Sequence, residues 1–275
     1  MSQDVENGFL TISQTSFIET LARRFGVTKT SEFPAVVGAN LEARMEGESS
    51  GPWAYREAVG SLMWLVTMTR PDIANAVRAV ARHSHNPTER HWKAVLKIIE
   101  YLLGSKELGI TYERGYGLDL VLFTDSNYAE KADDRRSVSG IAVLFCCAVV
   151  AWASVTQKVL AVSTTEAEYI STGDGVKEGL FAKGVLCFLV PQLSEKCFDV
   201  CVDNAGAISL ANNPLSSART KHIDVRFHFL RELVRSKTIE VVYVPTKFQH
   251  ADILTKPLTG EGFVMHRGVL MNIPV

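Results

Sequence analysis

Leu118-Asp119-Leu120-Val121-Leu122-Phe123-Thr124-Asp125 decides how the second half of this chain folds. Leu118, Leu120 and Leu122 alternate with Asp119, Val121 and Phe123, and a period of two places the leucines on one face of a buried strand. The run ends in Thr124-Asp125, so the strand delivers a carboxylate at its C-terminal end. After a polar turn over 129–136, residues 139–146 and 149–154 read as two more strands, and sequential strands joined by short turns predict an antiparallel meander. A helical stretch runs from Ser163 to about Val190, and 198–203 is a fourth strand that again ends in an acid, Asp203. Helices over 205–211 and 222–235, a strand over 239–244 and a last helix from Ala251 complete the order βββαβααβα. That order predicts an α/β sandwich built on a mixed five-stranded sheet with flanking helices.

Upstream of this stretch, 9–12 reads as a strand and 14–25 as a short amphipathic helix with Phe17, Ile18, Leu21 and Phe25 on one stripe. Residues 28–52 form a polar connector containing Pro and Gly, expected as exposed loop. A helical block follows: an apolar helix over 55–69, a helix opened by Pro71 and ended by Asn86-Pro87, and a helix over 88–103 with Trp92, Leu96, Ile99 and Leu103 on one face. This block carries no cluster of acid, histidine or cysteine and reads as a packing module.

At 275 residues the chain is long enough for two domains. Its formal net charge of −1 excludes a global basic field, so any nucleic-acid contact must come from local clusters. The five cysteines are odd in number and lack paired CxxC spacing, which predicts reduced, buried thiols. The opening MSQDVENG has no basic segment followed by an apolar core, so an intracellular protein, cytoplasmic or nuclear, is expected. The apolar run 141–153 is too short to cross a bilayer and rich in β-formers, so it reads as buried strand and no membrane partner is expected.

The acids carry the chemistry. Hydrolysis of a phosphodiester by two metal ions needs carboxylate oxygens converging on cations roughly 3.5–4 Å apart, and hard oxygen ligands suit Mg²⁺ or Mn²⁺. Two strands here end in Asp125 and Asp203, one helix opens with Glu166 and Glu168, and a late helix opens with Asp252. Taken singly, each could be a turn-former or a helix cap; their joint order favours a metal site. Glu166 and Glu168 cannot share a role, because two positions on a helix differ by about 200°. Ser163-Thr164-Thr165-Glu166 matches a capping box and leaves Glu168 free, although Thr165-x-x-Glu168 also fits one. Arg135-Arg136, Lys158 and Arg219-Thr220-Lys221-His222 are candidates for phosphate contacts, with solvated turns as the plain alternative.

The runs LFTDSNYAE, RRSVSG, VAWAS, STTEAEYIS, VDNAGAISLANNP, RTKHIDVRFHFLRE and VPTKFQHADILTKPL, in order from 121 to 258, resemble the ribonuclease H domain of copia-type retrotransposon Pol polyproteins. Upstream, YREAVGSLMWLVTMTRPDIANAV and HWKAVLKIIEYLLGS resemble the segment joining the reverse transcriptase to that domain, and GFLTISQTSFIETLARRFGV resembles the end of the palm. The resemblance implies a ribonuclease H-like fold preceded by a small helical connection domain. It divides the chain into a palm remnant (1–34), a loop linker (35–52), a helical connection segment (53–117), the ribonuclease H domain (118–259) and a C-terminal tail (260–275). It implies an endonuclease that holds two Mg²⁺ or Mn²⁺ ions on Asp125, Glu168, Asp203 and Asp252 and cuts the RNA strand of an RNA-DNA hybrid. The paired-aspartate motif of the polymerase is absent, so no polymerase activity is expected, and the reverse transcriptase portion would be a partner. A mobile catalytic histidine is not matched: His250 lies two residues before Asp252 and is expected at the surface. Gly173, Gly175, Gly179 and Gly184 are costly in a helix, by about 1 kcal/mol each. They predict either a helix broken near Gly173-Asp174-Gly175 or a decayed copy, weakly active or inactive, that only binds nucleic acid or serves structure.

Overall fold

The computed structural model describes residues 1–129, 135–212 and 224–273. The chain forms two compact units, Met1–Arg114 with Lys256–Val275, and Gly115–Thr255.

In the first unit, β2 (Phe9–Ser13) pairs antiparallel with β1 (Ser2–Asp4) on one side and β3 (Gly109–Glu113) on the other. Helices α1 (Thr15–Arg24), α2 (Tyr55–Met68), α3 (Ala74–Ala81) and α4 (Glu89–Gly104) bury the apolar positions that recur at helical spacing, among them Ile18, Leu62, Val77 and Ile99. The buried face of α4 runs through Val95, Ile98, Ile99 and Leu102 and is rotated from the expected one. Trp92 instead packs against Phe25, Trp53 and Tyr55. The block is not purely apolar: Arg70 and Asp72 form a fully buried ion pair at 2.8 Å, and the Tyr101 hydroxyl donates to Asp72 at 2.5 Å. The segment read as a tail contains helix α8 (Gly260–Met271), whose Arg267 donates to the Tyr101 hydroxyl within the same unit.

The second unit carries the mixed five-stranded sheet that the alternation predicts, in the order β6-β5-β4-β7-β8. Strands β4 (Leu120–Asn127), β5 (Val138–Phe145) and β6 (Ala148–Thr156) make the antiparallel meander, while β7 (Phe198–Val202) and β8 (Ile239–Tyr243) run parallel to β4. Cys146 and Cys147 form the tip between β5 and β6, both at positive φ, as a two-residue hairpin of matching twist requires. None of the five cysteines is in a disulfide, but the expectation of burial holds only for Cys201; Cys147 at the hairpin tip and Cys197 just ahead of β7 are exposed. Helices α5 (Thr164–Leu189), α6 (Ala205–Asn212) and α7 (Asp224–Arg235) share one core with the sheet, through Tyr169, Val176, Ala207, Ala211 and Leu230 packed with Leu122, Val143 and Val200.

Two expectations need correction here. Helix α5 is continuous over 26 residues and does not break at Gly173-Asp174-Gly175. A Cβ on Gly175 would lie 2.5 Å from Thr124 Cγ2, and one on Gly179 would lie 3.0 Å from the Phe198 ring. These two glycines let the helix axis approach β4 and β7 closely, so they mark packing. Nor does a helix run on from Ala251. A short 3-10 turn, His250–Leu254, ends at Thr255, and Pro257, which lacks an N–H, separates it from α8. Among the described residues, no helix is long and apolar enough to cross a membrane.

Candidate metal centre

The site stands at the end of the two central parallel strands. The register Phe123↔Cys201 places Asp125 and Asp203 two residues further along, on β4 and just past the end of neighbouring β7, and positions two apart share a face. Helix α5 is tied to the same place by its first turns. Ser171 Oγ donates to the Asp125 carbonyl at 2.7 Å, and Thr172 Oγ1 lies 3.2 Å from Thr124 Oγ1. Glu168, one turn earlier, therefore meets the end of β4.

One oxygen from each of Asp125, Glu168 and Asp203 lies within 4.8 Å of the others. Asp125 and Glu168 are buried and Asp203 is partly exposed, so the group opens towards solvent on one side. Glu168 Oε1 accepts from the Ser126 backbone N–H at 3.2 Å, whereas Oε2 is buried with no hydrogen-bond partner among the described residues. A buried carboxylate oxygen left unsatisfied is costly. Burial, reinforced by the charges of Asp125 and Asp203, pushes the Glu168 carboxyl up to about 9. A divalent cation would satisfy that oxygen and reverse the mutual repulsion, and an all-oxygen donor set suits Mg²⁺ or Mn²⁺.

Glu166 takes the other role that the capping pattern allows. Its backbone N–H donates to Ser163 Oγ at 3.1 Å, and its Oε2 accepts from the Val162 N–H at 2.9 Å. Asp252 is buried on the 3-10 turn and stands outside the 4.8 Å group. His250 is half-buried, with its ring edge-on to Phe123 at 4.9 Å between centroids.

Three supporting residues gave no sign in the sequence. Thr255 Oγ1 donates to Asp125 Oδ2, Thr246 Oγ1 donates to Asp203 Oδ2 at 2.8 Å, and Gln249 Nε2 donates to the carbonyls of Thr124 and Cys201. Gly140, paired with Asp125 across β4 and β5, makes room for them, because a Cβ there would lie 2.7 Å from the Ala251 carbonyl and from Thr255 Cγ2.

Of the basic candidates, Arg135, Arg136 and Lys158 are exposed. Both arginines precede β5 and Lys158 follows β6, at the sheet end where Asn127, Val138 and Thr156 are in register. That is the end from which Asp125 emerges. Arg219, Lys221 and His222 lie outside the described residues.

No family model matches the chain. The retrovirus-related Pol polyprotein from transposon TNT 1-94 of Nicotiana tabacum is 37% identical over 264 residues, 92% of this chain and 20% of that protein. The Pol polyprotein from transposon RE2 of Arabidopsis thaliana is 36% identical over 256 residues, 92% of this chain and 17% of that protein. This chain thus spans about a fifth of the length of these curated relatives. Among solved structures, LC11-RNase H1 in complex with an RNA/DNA hybrid aligns over 50% of this chain and 94% of its own, at 11% identity and a TM-score of 0.38.

Proposed function

Because this chain belongs to the Pol polyproteins of copia-type transposons, as a segment of one, we propose that its second unit is a ribonuclease H that cuts the RNA strand of RNA-DNA hybrids with divalent metal. The observation that supports this reading is the convergence of Asp125, Glu168 and Asp203 within 4.8 Å, with one buried Glu168 oxygen lacking a hydrogen-bond partner among the described residues. Acids held for turns or caps would each be satisfied locally, as Glu166 is.

In this reading Asp125, Glu168 and Asp203 hold two Mg²⁺ or Mn²⁺ ions, and Asp252 supplies a fourth carboxylate from the adjoining turn. When bound, such ions supply a water of lowered pKa and stabilise the leaving oxygen. The chain's own part is to keep the carboxylates together against their repulsion, through the sheet register, the seating of α5 and the hydroxyls of Thr246 and Thr255. Arg135, Arg136 and Lys158 contact backbone phosphates along the same sheet end, which sets orientation without reading sequence. Arg219, Lys221 and His222 are assigned the same task on sequence alone. The partner is the hybrid duplex, met together with the reverse transcriptase portion of the polyprotein.

The alternative is a decayed, catalytically weak or inactive fragment; of the four α5 glycines that suggested it, Gly175 and Gly179 are accounted for by their close approach to Thr124 and Phe198. The test uses the purified chain with a labelled hybrid and Mg²⁺, beside Asp125→Asn and Asp203→Asn. The parent is expected to cut hybrid RNA and spare duplex DNA, and either substitution to slow cutting by roughly 10³-fold or more, the several kcal/mol of charge stabilisation that metal ions supply. Equal cutting by parent and variants would sink the assignment.

A further inference from the structure

Three side chains of the short segment 246–255 donate to the ends of the two strands presenting the aspartates. Thr246 Oγ1 donates to Asp203 Oδ2 at 2.8 Å, and Thr255 Oγ1 donates to Asp125 Oδ2. Between them, fully buried Gln249 donates through Nε2 to the Thr124 carbonyl at 3.0 Å and the Cys201 carbonyl at 3.2 Å. Those carbonyls belong to the residue just before Asp125 and the one two before Asp203. The amide orientation is fixed by its surroundings. Gln249 Oε1 accepts from the Ala251 N–H at 3.3 Å, and a flipped amide would face donor with donor and carbonyl with carbonyl.

Resting on the reading of the three carboxylates as metal ligands, we propose that Thr246 and Thr255 are positioning residues that set the metal affinity of Asp203 and Asp125, with Gln249 as the anchor that fixes their segment. Each hydroxyl holds one carboxylate oxygen and so restricts the rotation of that side chain beside the other acids of the group. Groups that orient a ligand in this way are worth about 10- to 100-fold in metal affinity. A threonine serving only its own turn would bond locally. Thr255 Oγ1 lies 3.2 Å from the Asp252 carbonyl of its own turn, but it also reaches Asp125, 130 positions away in sequence, and Thr246 reaches Asp203, 43 away.

The experiment measures Mn²⁺ uptake by the full chain without nucleic acid, from the electron paramagnetic resonance signal of free Mn²⁺. Circular dichroism reports folding alongside. Thr246→Val and Thr255→Val keep the side-chain shape and lose the hydroxyl; Thr246→Ser and Thr255→Ser keep the hydroxyl. Each Val variant is expected to bind Mn²⁺ on the order of tenfold more weakly, with the Ser variants close to the parent. Folded Val variants that bind as tightly as the parent overturn the proposal, and exposed Thr246 supplies a folded variant even where buried Thr255→Val does not. Equal weakening in Val and Ser variants also overturns it, because packing rather than the hydroxyl would then be responsible. A parent that takes up no Mn²⁺ overturns the metal reading itself, and this inference with it.

Discussion

Ser126 donates its backbone N–H to Glu168 Oε1 at 3.2 Å, joining strand β4 to helix α5, and the bond leaves Glu168 Oε2 buried without a partner among the described residues. The carboxyl is pushed up to about 9, by burial first and by Asp125 and Asp203 second. In an unfolded chain a glutamate titrates near about 4.3. Between those values the folded chain keeps a proton that the unfolded chain has released, so this group's contribution to stability is whole below the unfolded value and is lost as pH rises towards the folded one. Glu168→Gln is therefore expected to stabilise the metal-free chain at about pH 8, by about 1–3 kcal/mol, and to do little at about pH 4. Urea titrations in the presence of a chelator measure both, and a gain of equal size at the two pH values would refute the argument.

Glu166 and Glu168 are two residues apart and should fail in opposite ways. Glu166 accepts from the Val162 N–H and completes the start of α5, so Glu166→Ala is expected to cost about 0.5–2 kcal/mol of stability while hybrid cleavage persists in the folded protein. Glu168→Ala is expected to abolish cleavage without destabilising the metal-free chain. Denaturant midpoints and a cleavage assay on both variants check this, and loss of cleavage in folded Glu166→Ala would reassign the roles.

Much of this site was legible because its parts are local. In the sequence Asp125 and Asp203 each follow an apolar alternating run, and Ser163-Thr164-Thr165-Glu166 marks a helix start that leaves Glu168 free, although Thr165-x-x-Glu168 fits the same pattern. The supports were not legible. Gln249 reaches Thr124 across 125 positions and Thr255 reaches Asp125 across 130, and a side-chain hydrogen bond over such a separation leaves no periodic trace. The helix break expected at Gly173-Asp174-Gly175 failed for a related reason. Helix propensity counts the local cost of a glycine and knows nothing of the strand that the helix must approach.

That distinction separates the glycines experimentally. A Cβ at Gly184 would meet nothing within 4 Å, so Gly184→Ala is expected to stabilise the chain by about 0.5–1 kcal/mol through helix propensity alone. At Gly175 the new methyl would press on Thr124 and Leu122 in a packed core, and Gly175→Ala is expected to destabilise by about 1–3 kcal/mol. Thermal or urea unfolding of the two variants provides the comparison. A stabilising Gly175→Ala would return the glycines to the decayed-copy interpretation.

The first unit offers a test independent of any catalytic claim. Burial by itself raises the Asp72 carboxyl, but the Arg70 guanidinium, with the Tyr101 hydroxyl, holds it below the ordinary carboxylate value. A depressed carboxylate contributes stability above its unfolded pKa, and that contribution is lost as pH falls through the folded value. Asp72→Asn leaves Arg70 buried without its counterion, held by the Ser105 carbonyl and hydroxyl and set over the Tyr101 ring. Breaking one side of such a pair costs about 3–5 kcal/mol, because the surviving charge has been taken out of water without its counterion. Urea unfolding of Asp72→Asn at neutral pH should show that loss, and the difference from the parent should shrink in acid as Asp72 becomes protonated in the parent as well. A variant as stable as the parent at neutral pH would mean that the pair has no net hold on the first unit.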